Sequence, residues 1–389
     1  MRNTRLIAIG FGMLYGGMAA ANNGDQMVGY SALSNAMGGA VVATPQDVTT
    51  ALSNPAGLAF LNLGEAGTRF DMNLAVLNPI RELNGVESDN DAYIMATGGF
   101  AFQSELFGDD VTIGVGAYPI SGGGVDFPNR AFAMPVLGNM SIVATRQSLR
   151  IGPAVAVRLN DKLALGVNVS LASNQMSLKG PTGSFPTDVA YGVSGVAGVT
   201  YEPTPGVRLG ASYTTRSYSQ DLEWNLNDGQ YRLSFEDPQT VAVGISYQPS
   251  QRWLMELDVK WLDYEGVRSS NILYGPTPAQ DRTLAYGWES QWVVGLGTKY
   301  RVSDRTALLA GYNYGASPLG PEDVNQNIGA TAIVEHHVSF GAEFRVTRLS
   351  TLTLSVIHGF ENDMTSSVGL PTDVSFETNL ATLQFTYRH

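Results

Sequence analysis

From residue 66 onward the chain alternates with a period of two, and the links between alternating segments also alternate, short then long. Leu149, Ile151, Pro153, Val155, Val157 and Leu159 interleave with Arg150, Gly152, Ala154, Ala156 and Arg158. After Asn160-Asp161, Leu163, Leu165, Val167, Val169 and Leu171 interleave with Ala164, Gly166, Asn168 and Ser170. This is the mark of antiparallel strands joined by a tight turn. The pattern returns in Trp253-Met255-Leu257-Val259-Trp261, in Val338-Phe340-Ala342-Phe344-Val346 and in Leu383-Phe385-Tyr387.

The second face decides what the strands surround. It is built of Gly, Ala, Ser, Thr and Asn with scattered charges, while the other face is bulky and often ends in Trp or Tyr. A soluble sandwich hides its bulky face, whereas a barrel in lipid turns it outward. Trp253 and Trp261 stand eight residues apart on the bulky face. At ~3.3 Å per residue and a tilt near 40° they lie about 20 Å apart along the axis, close to the height of an apolar band between two aromatic girdles.

Alternating segments fall near 66–78, 91–103, 110–120, 141–159, 162–175, 188–202, 206–218, 231–248, 252–266, 283–301, 305–315, 332–347, 351–363 and 376–388. Tight links such as Glu202-Pro203-Thr204-Pro205 alternate with longer ones at 79–90, 121–140, 176–187, 219–230, 267–282, 316–331 and 364–375. An even strand number near 14, with short periplasmic turns and long outer loops, is the outer-membrane arrangement. The sequence therefore predicts an all-β fold, a 14-stranded antiparallel transmembrane β-barrel, over 66–389.

Two segments stand outside that pattern. Residues 1–21 carry Arg2 and Arg5, an apolar run from Leu6 to Met18, and Ala19-Ala20-Ala21, the three parts of a signal peptide. Residues 22–65 are rich in Asn, Ala, Gly and Ser, yet carry Met27, Val28, Leu33, Met37, Val41 and Val42. They are too apolar for a solvated tail, and a 14-stranded lumen is too wide for side chains alone to fill. A plug inside the lumen is the expectation, with a small periplasmic domain as the alternative.

Composition removes several functions. There is no Cys, which excludes thiolate metal sites and cysteine nucleophiles, and a net charge of −12 argues against nucleic acid. Of four His, His336 and His337 point to opposite faces of one strand, and His358 shares the parity of Leu354 and Val356. No catalytic residue, metal site or cofactor is expected. Inward charges such as Arg150, Arg158, Glu256, Asp258, Lys260, Glu343 and Arg345 read as a network holding the plug. By parity Gly114 and Gly116 face the lumen, and Pro119 cannot donate a ladder hydrogen bond. They mark either a bulge in the wall or room for the plug.

The order signal peptide, Gly/Ala/Ser-rich stretch, then Ser53-Asn54-Pro55-Ala56-Gly57 before the first strand resembles the FadL/TodX family of outer-membrane transporters for long-chain fatty acids and hydrocarbons. Gly114-Val115-Gly116-Ala117-Tyr118-Pro119 is similar to its third strand, and Gly295–Tyr300 and Ser339–Phe344 to later ones. The resemblance implies a barrel closed by an N-terminal hatch that contains Asn54, Pro55 and Ala56. It places a gating N-terminus, here about Asn22 to Val28 with Met27, at an apolar ligand pocket. It also implies a lateral opening at the third strand, here Gly114, Gly116 and Pro119. The long loading loop after the fifth strand is replaced by only 176–187, so Phe127, Phe132 and Met134 in 121–140 are its substitutes.

The function expected is passive outer-membrane uptake of hydrophobic small molecules, with the hatch displaced and the ligand leaving sideways at strand three. The partners are that ligand, outer-membrane lipid and lipopolysaccharide, and the protein is expected to be a monomer. A general diffusion porin for polar solutes is the alternative, and a surface scaffold barrel a third class.

Overall fold

The computed structural model describes residues 23–108, 110–134, 138–180 and 183–389; the segment read as a signal peptide and Asn22 lie outside the described residues. Fourteen antiparallel strands close on themselves. They are β1 (Thr68–Leu83), β2 (Tyr93–Gln103), β3 (Val111–Met134), β4 (Gly138–Asn160), β5 (Leu163–Gly180), β6 (Gly183–Thr204) and β7 (Val207–Thr214). They continue as β8 (Thr240–Ser250), β9 (Trp253–Leu262), β10 (Gln291–Arg301), β11 (Thr306–Gly315), β12 (His336–Arg345), β13 (Ser350–Thr365) and β14 (Asp373–Arg388). Each pairs with its sequence neighbours, and β1 pairs with β14 from Arg69↔Arg388 to Leu83↔Val374, which closes the barrel.

The two faces are inverted relative to a soluble protein. On β5, Leu165, Val167, Val169 and Leu171 are exposed while Asn168 and Ser170 are buried. Exposed Tyr201, Tyr247, Trp253, Tyr300 and Tyr387 ring the end with short turns. Near the loop end Trp261 pairs directly with the exposed Trp292. Rows of aromatics at both edges of an apolar band are what two membrane interfaces select.

Several expected boundaries are corrected. The stretches 121–140 and 176–187 are not loops: β3 and β4 continue past the apolar band to Met134 and Gly138, and β5 and β6 to Gly180 and Gly183. Phe127 sits fully buried in β3, and Phe132 pairs with Met140 and Met134 with Gly138 as ladder residues. Above the band a strand no longer needs an apolar outer face, so alternation of bulk fades although the ladder goes on. Conversely 231–248 and 283–301 are too long, and 206–218 is interrupted. After Thr214 only Tyr218–Ser219 pairs again with β6, at Val193 and Gly192, and the barrel resumes at Thr240 and Gln291. The strands Leu222–Leu226, Gly229–Leu233, Asn271–Tyr274 and Arg282–Leu284 form a separate small sheet at the loop end, around Phe185, Trp224 and Tyr231.

Residues 23–63 lie against the inner wall and are almost all buried. They form α1 (Ala32–Ala36), α2 (Thr50–Ser53) and a 3-10 turn (Pro55–Phe60). Ser31 caps α1 by accepting from the Ser34 amide, and Asn54 caps the 3-10 turn by accepting from the Ala56 amide. These elements are too short to stand alone, so what holds them is the wall.

Candidate functional site at the N-terminal segment and the third strand

The wall grips the segment mostly by its backbone. Asp258 Oδ2 accepts from the amides of Val41 and Val42 at 2.7 and 2.9 Å, and Glu256 Oε1 from those of Ala43 and Thr44 at 2.7 and 3.1 Å. Lys260 donates to the Gly39 carbonyl at 2.9 Å, Asp71 accepts from Val48, and Arg158 donates to the Ala59 carbonyl. The barrel glycines are where the segment comes nearest. A Cβ at Gly210 would strike the backbone of Val42, and one at Gly166 the backbone of Pro55 and Ala56. Glu343, by contrast, pairs with Lys299 at 3.1 Å, and Arg345 is exposed at the turn end.

On the third strand the wall itself parts. β2 and β3 pair only from Gln103↔Thr112 to Gly98↔Ala117. From Tyr118 upward β3 pairs with β4 alone, with a register shift between Pro119 and Ser121. Contact between the two sides resumes toward the loop end, where the Asp89 amide donates to the Asp126 carbonyl at 2.9 Å and Arg81 to the Gly124 carbonyl at 2.9 Å. This leaves a window in the barrel beside residues 118–125. The N-terminal segment fills it. Gln26 bridges Ser121, the Met27 amide donates to the Ile120 carbonyl at 3.1 Å, and the Gly122 amide donates to the Asp25 carbonyl at 3.0 Å. Val28 and half-buried Met27 pack on Tyr93, Met95, Leu77, Ile357 and Leu380.

A buried ion cluster fastens the same segment. Arg146 contacts Asp25 and reaches Asp237 at 2.5 Å, Arg268 reaches Asp25 at 3.2 Å, and Arg150 lies 3.6 Å from Asp237. The Tyr264 hydroxyl donates to the Asn23 carbonyl at 2.6 Å and accepts from the Asp25 amide. The guanidinium of Arg268 stacks 3.6 Å from the centre of the Phe235 ring. Burial alone would raise the Asp237 carboxyl. The Arg146 and Arg150 guanidiniums, the Ser148 hydroxyl and Arg268 outweigh it and hold it well below the usual carboxylate range. A carboxyl depressed on folding stabilises at every pH above its unfolded value and loses that effect only as pH falls through the folded one. Asp237 therefore stays charged through neutral and mildly acidic conditions.

On the loop side of this latch opens a cavity of about 350 Å³, lined by Ile142, Met176, Leu178, Phe235, Tyr286 and Ile328 among others, with Asp25, Arg146 and Arg268 at one side. The arrangement is an apolar chamber, a charged latch and a window, in contact through residues 23–28.

Of the residues expected from sequence, Met27 and Val28 are at the window, and Pro119 is on its rim. Gly114 lies in the paired part of β3, where a Cβ would stand 3.0 Å from Leu58, so it makes room for the plug. Gly116 lies under the Tyr118 ring. Asn54, Pro55 and Ala56 are not brought to the cavity or the window. They seat the segment against β5 and β6, where Asn54 donates to the carbonyls of Val42 and Val199 at 2.8 and 3.0 Å. Phe127 belongs to the buried apolar cluster at the loop end with Tyr264 and Trp288. Asp25, Arg146, Asp237 and Arg268 were not singled out. Arg146 shares the lumen parity of Arg150, which was a usable signal; Arg268 stands in the link 267–282, and Asp237 inside 231–248, a stretch read as one barrel strand that the structure breaks between Leu233 and Thr240.

A family described as outer membrane protein transport protein (OMPP1/FadL/TodX) matches residues 187–389. Among solved structures, the Pseudomonas putida toluene transporter TodX is 21% identical, covers 93% of this chain and 99% of its own, and superposes with a TM-score of 0.76. The Ralstonia pickettii toluene transporter TbuX is 18% identical, with 92% and 98% covered and a TM-score of 0.75. A Pseudomonas aeruginosa FadL homologue is 12% identical, with 94% and 99% covered and a TM-score of 0.77. No curated protein matches the sequence.

Proposed function

Because this chain belongs to the OMPP1/FadL/TodX family of outer-membrane transport proteins, we propose that it passes hydrophobic small molecules, monoaromatic or aliphatic hydrocarbons or fatty acids, from the loop-end cavity sideways into the bilayer. The chain is a transport channel of the bacterial outer membrane and not an enzyme. Residues 1–21 are the export signal in this reading, residues 22–65 the movable hatch.

One observation carries the proposal: among the described residues the backbone that pairs with the free edge of β3 at Ile120–Gly122 is the strip Asp25–Met27, and Asp25 also lines the apolar cavity. A molecule in that cavity is one segment away from the hydrocarbon phase. The energies are of matching size. Burying ~200 Å² of apolar surface stabilises a small hydrocarbon by about 5 kcal/mol at 25 cal/mol per Å². The two backbone hydrogen bonds that close the strip are worth about 0.5–1.5 kcal/mol each. Binding can therefore offset release of Gln26–Met27 from the edge of β3 where Asp25 keeps its bonds to Arg146 and Arg268. The path down the axis is blocked by residues 32–60 and their bonds to the wall, which weighs against an open pore for polar solutes.

The test is uptake of dilute toluene and of a labelled long-chain fatty acid by cells with and without the protein. Accelerated entry of at least one, with no change for a small sugar, is the expected result. Faster sugar entry with unchanged entry of both apolar probes would reject the proposal.

A further inference from the structure

Arg150 of β4 is a buried charge whose donors are unspent. Its side chain is 4% exposed, and Nε and Nη2 find no hydrogen-bond partner among the described residues. Asp237 stands 3.6 Å away and is already held by Arg146, Ser121 and Ser148. A guanidinium cannot shed its proton to escape burial, so it calls for acceptors. Beside it lies a cavity of about 60 Å³ that shares no lining residue with the loop-end cavity. Asn23 and Gln26 of the N-terminal segment form one side of it. Lys260, which donates to the Gly39 carbonyl at 2.9 Å, lines it from β9. Thr214 adds a hydroxyl, and Ser53 adds another that has no partner among the described residues. No Asp or Glu lines the cavity. The acids near Lys260, Asp258 and Glu256, each take two backbone amides of the plug instead.

Water in this space satisfies the donors but leaves two positive charges facing one enclosed volume. A negative ion satisfies both demands, as buried charges require. The volume has room for roughly one small ion with a water or two. We propose that this cavity is a binding site for a small monovalent anion, a halide such as chloride, held between Arg150 and Lys260 behind the N-terminal segment. An ion there ties the segment to β4 and β9, because Asn23 and Gln26 border the same space. The site stands whether or not molecules leave by the window.

The test has a crystallographic arm and a solution arm, both on the full barrel in detergent. Crystals of the wild type grown in sodium bromide are expected to show an anomalous peak in the cavity between Arg150 and Lys260. In solution, thermal unfolding is followed while sodium chloride replaces sodium gluconate at constant ionic strength, so that screening does not change. The wild-type midpoint is expected to rise with the logarithm of chloride once the site fills, as for any ligand of the folded state alone. Arg150→Met and Lys260→Met are expected to lose that dependence. A map without bromide in the cavity overturns the assignment. Bromide in the crystal with a midpoint indifferent to chloride means an adventitious ion only, which overturns it as well. Both wild-type measurements decide the matter even if neither variant folds.

Discussion

A Gln26→Cys/Ser121→Cys double variant should take up toluene when reduced and fall to the level of cells lacking the protein when oxidised. These two residues form an antiparallel bridge, a spacing at which a disulfide closes without moving the backbone. The chain has no other Cys, so the introduced bond cannot reshuffle. It would fix the strip Asp25–Met27 to the free edge of β3; Ser121→Cys also removes the hydroxyl that donates to Asp237 and accepts from Arg146, so the reduced double variant is the reference for the oxidised one. Recovery on adding reductant separates locking from misfolding. Undiminished uptake by the fully oxidised form would mean that molecules leave by another path.

Replacing both Glu256 and Asp258 by Ala should convert a silent barrel into a conducting one. Each carboxylate receives two amides of the run Val41–Thr44. Removing both leaves four buried N–H groups unpaired at about 1–3 kcal/mol each, which is large against the stability of a short segment with no regular structure around residues 41–47. The segment is then expected to leave its seat between β8 and β9, and a 14-stranded lumen is wide enough to carry ions. Planar-bilayer recordings should show steady conductance absent from the wild type. The single Asp258→Asn change, which keeps an acceptor oxygen, should conduct far less. A double Ala variant as silent as the wild type would show that other contacts seat the plug.

The barrel was legible because lipid imposes a rule on every second residue. Leu165 to Leu171 and Val338 to Phe344 could be assigned a face without any knowledge of their neighbours. The rule ends where the membrane ends. Gly122-Gly123-Gly124 look like a loop by composition, yet they pair with Gln147, Arg146 and Thr145 of β4, and β3 runs on through Pro128 with a break in register between Phe127 and Phe132. Tyr231 and Leu233 alternate as a strand should, but period two does not say which sheet a strand joins, and they pair with Trp224 and Leu222 instead of the barrel. The site was legible only in part. Met27 and Val28 came from the family resemblance and Pro119 from its missing amide. The latch draws Asp25, Arg146, Asp237 and Arg268 from four distant segments, and nothing in local pattern joins an isolated Asp beside Pro238 to an Arg in an outer link.

The central claim is a route, so the most direct measurement marks where the molecule goes. Cells expressing the wild type can be given a small alkyl diazirine, irradiated, and the labelled residues mapped by mass spectrometry. The account predicts labels in the cavity, at Met176, Leu178 and Phe235, and at the window, at Tyr93 and Met95, with none on Leu58, Leu61 or the lumen wall at Ala156 and Ala164. Labels running down that wall to the turn end, with the window unmarked, would contradict it.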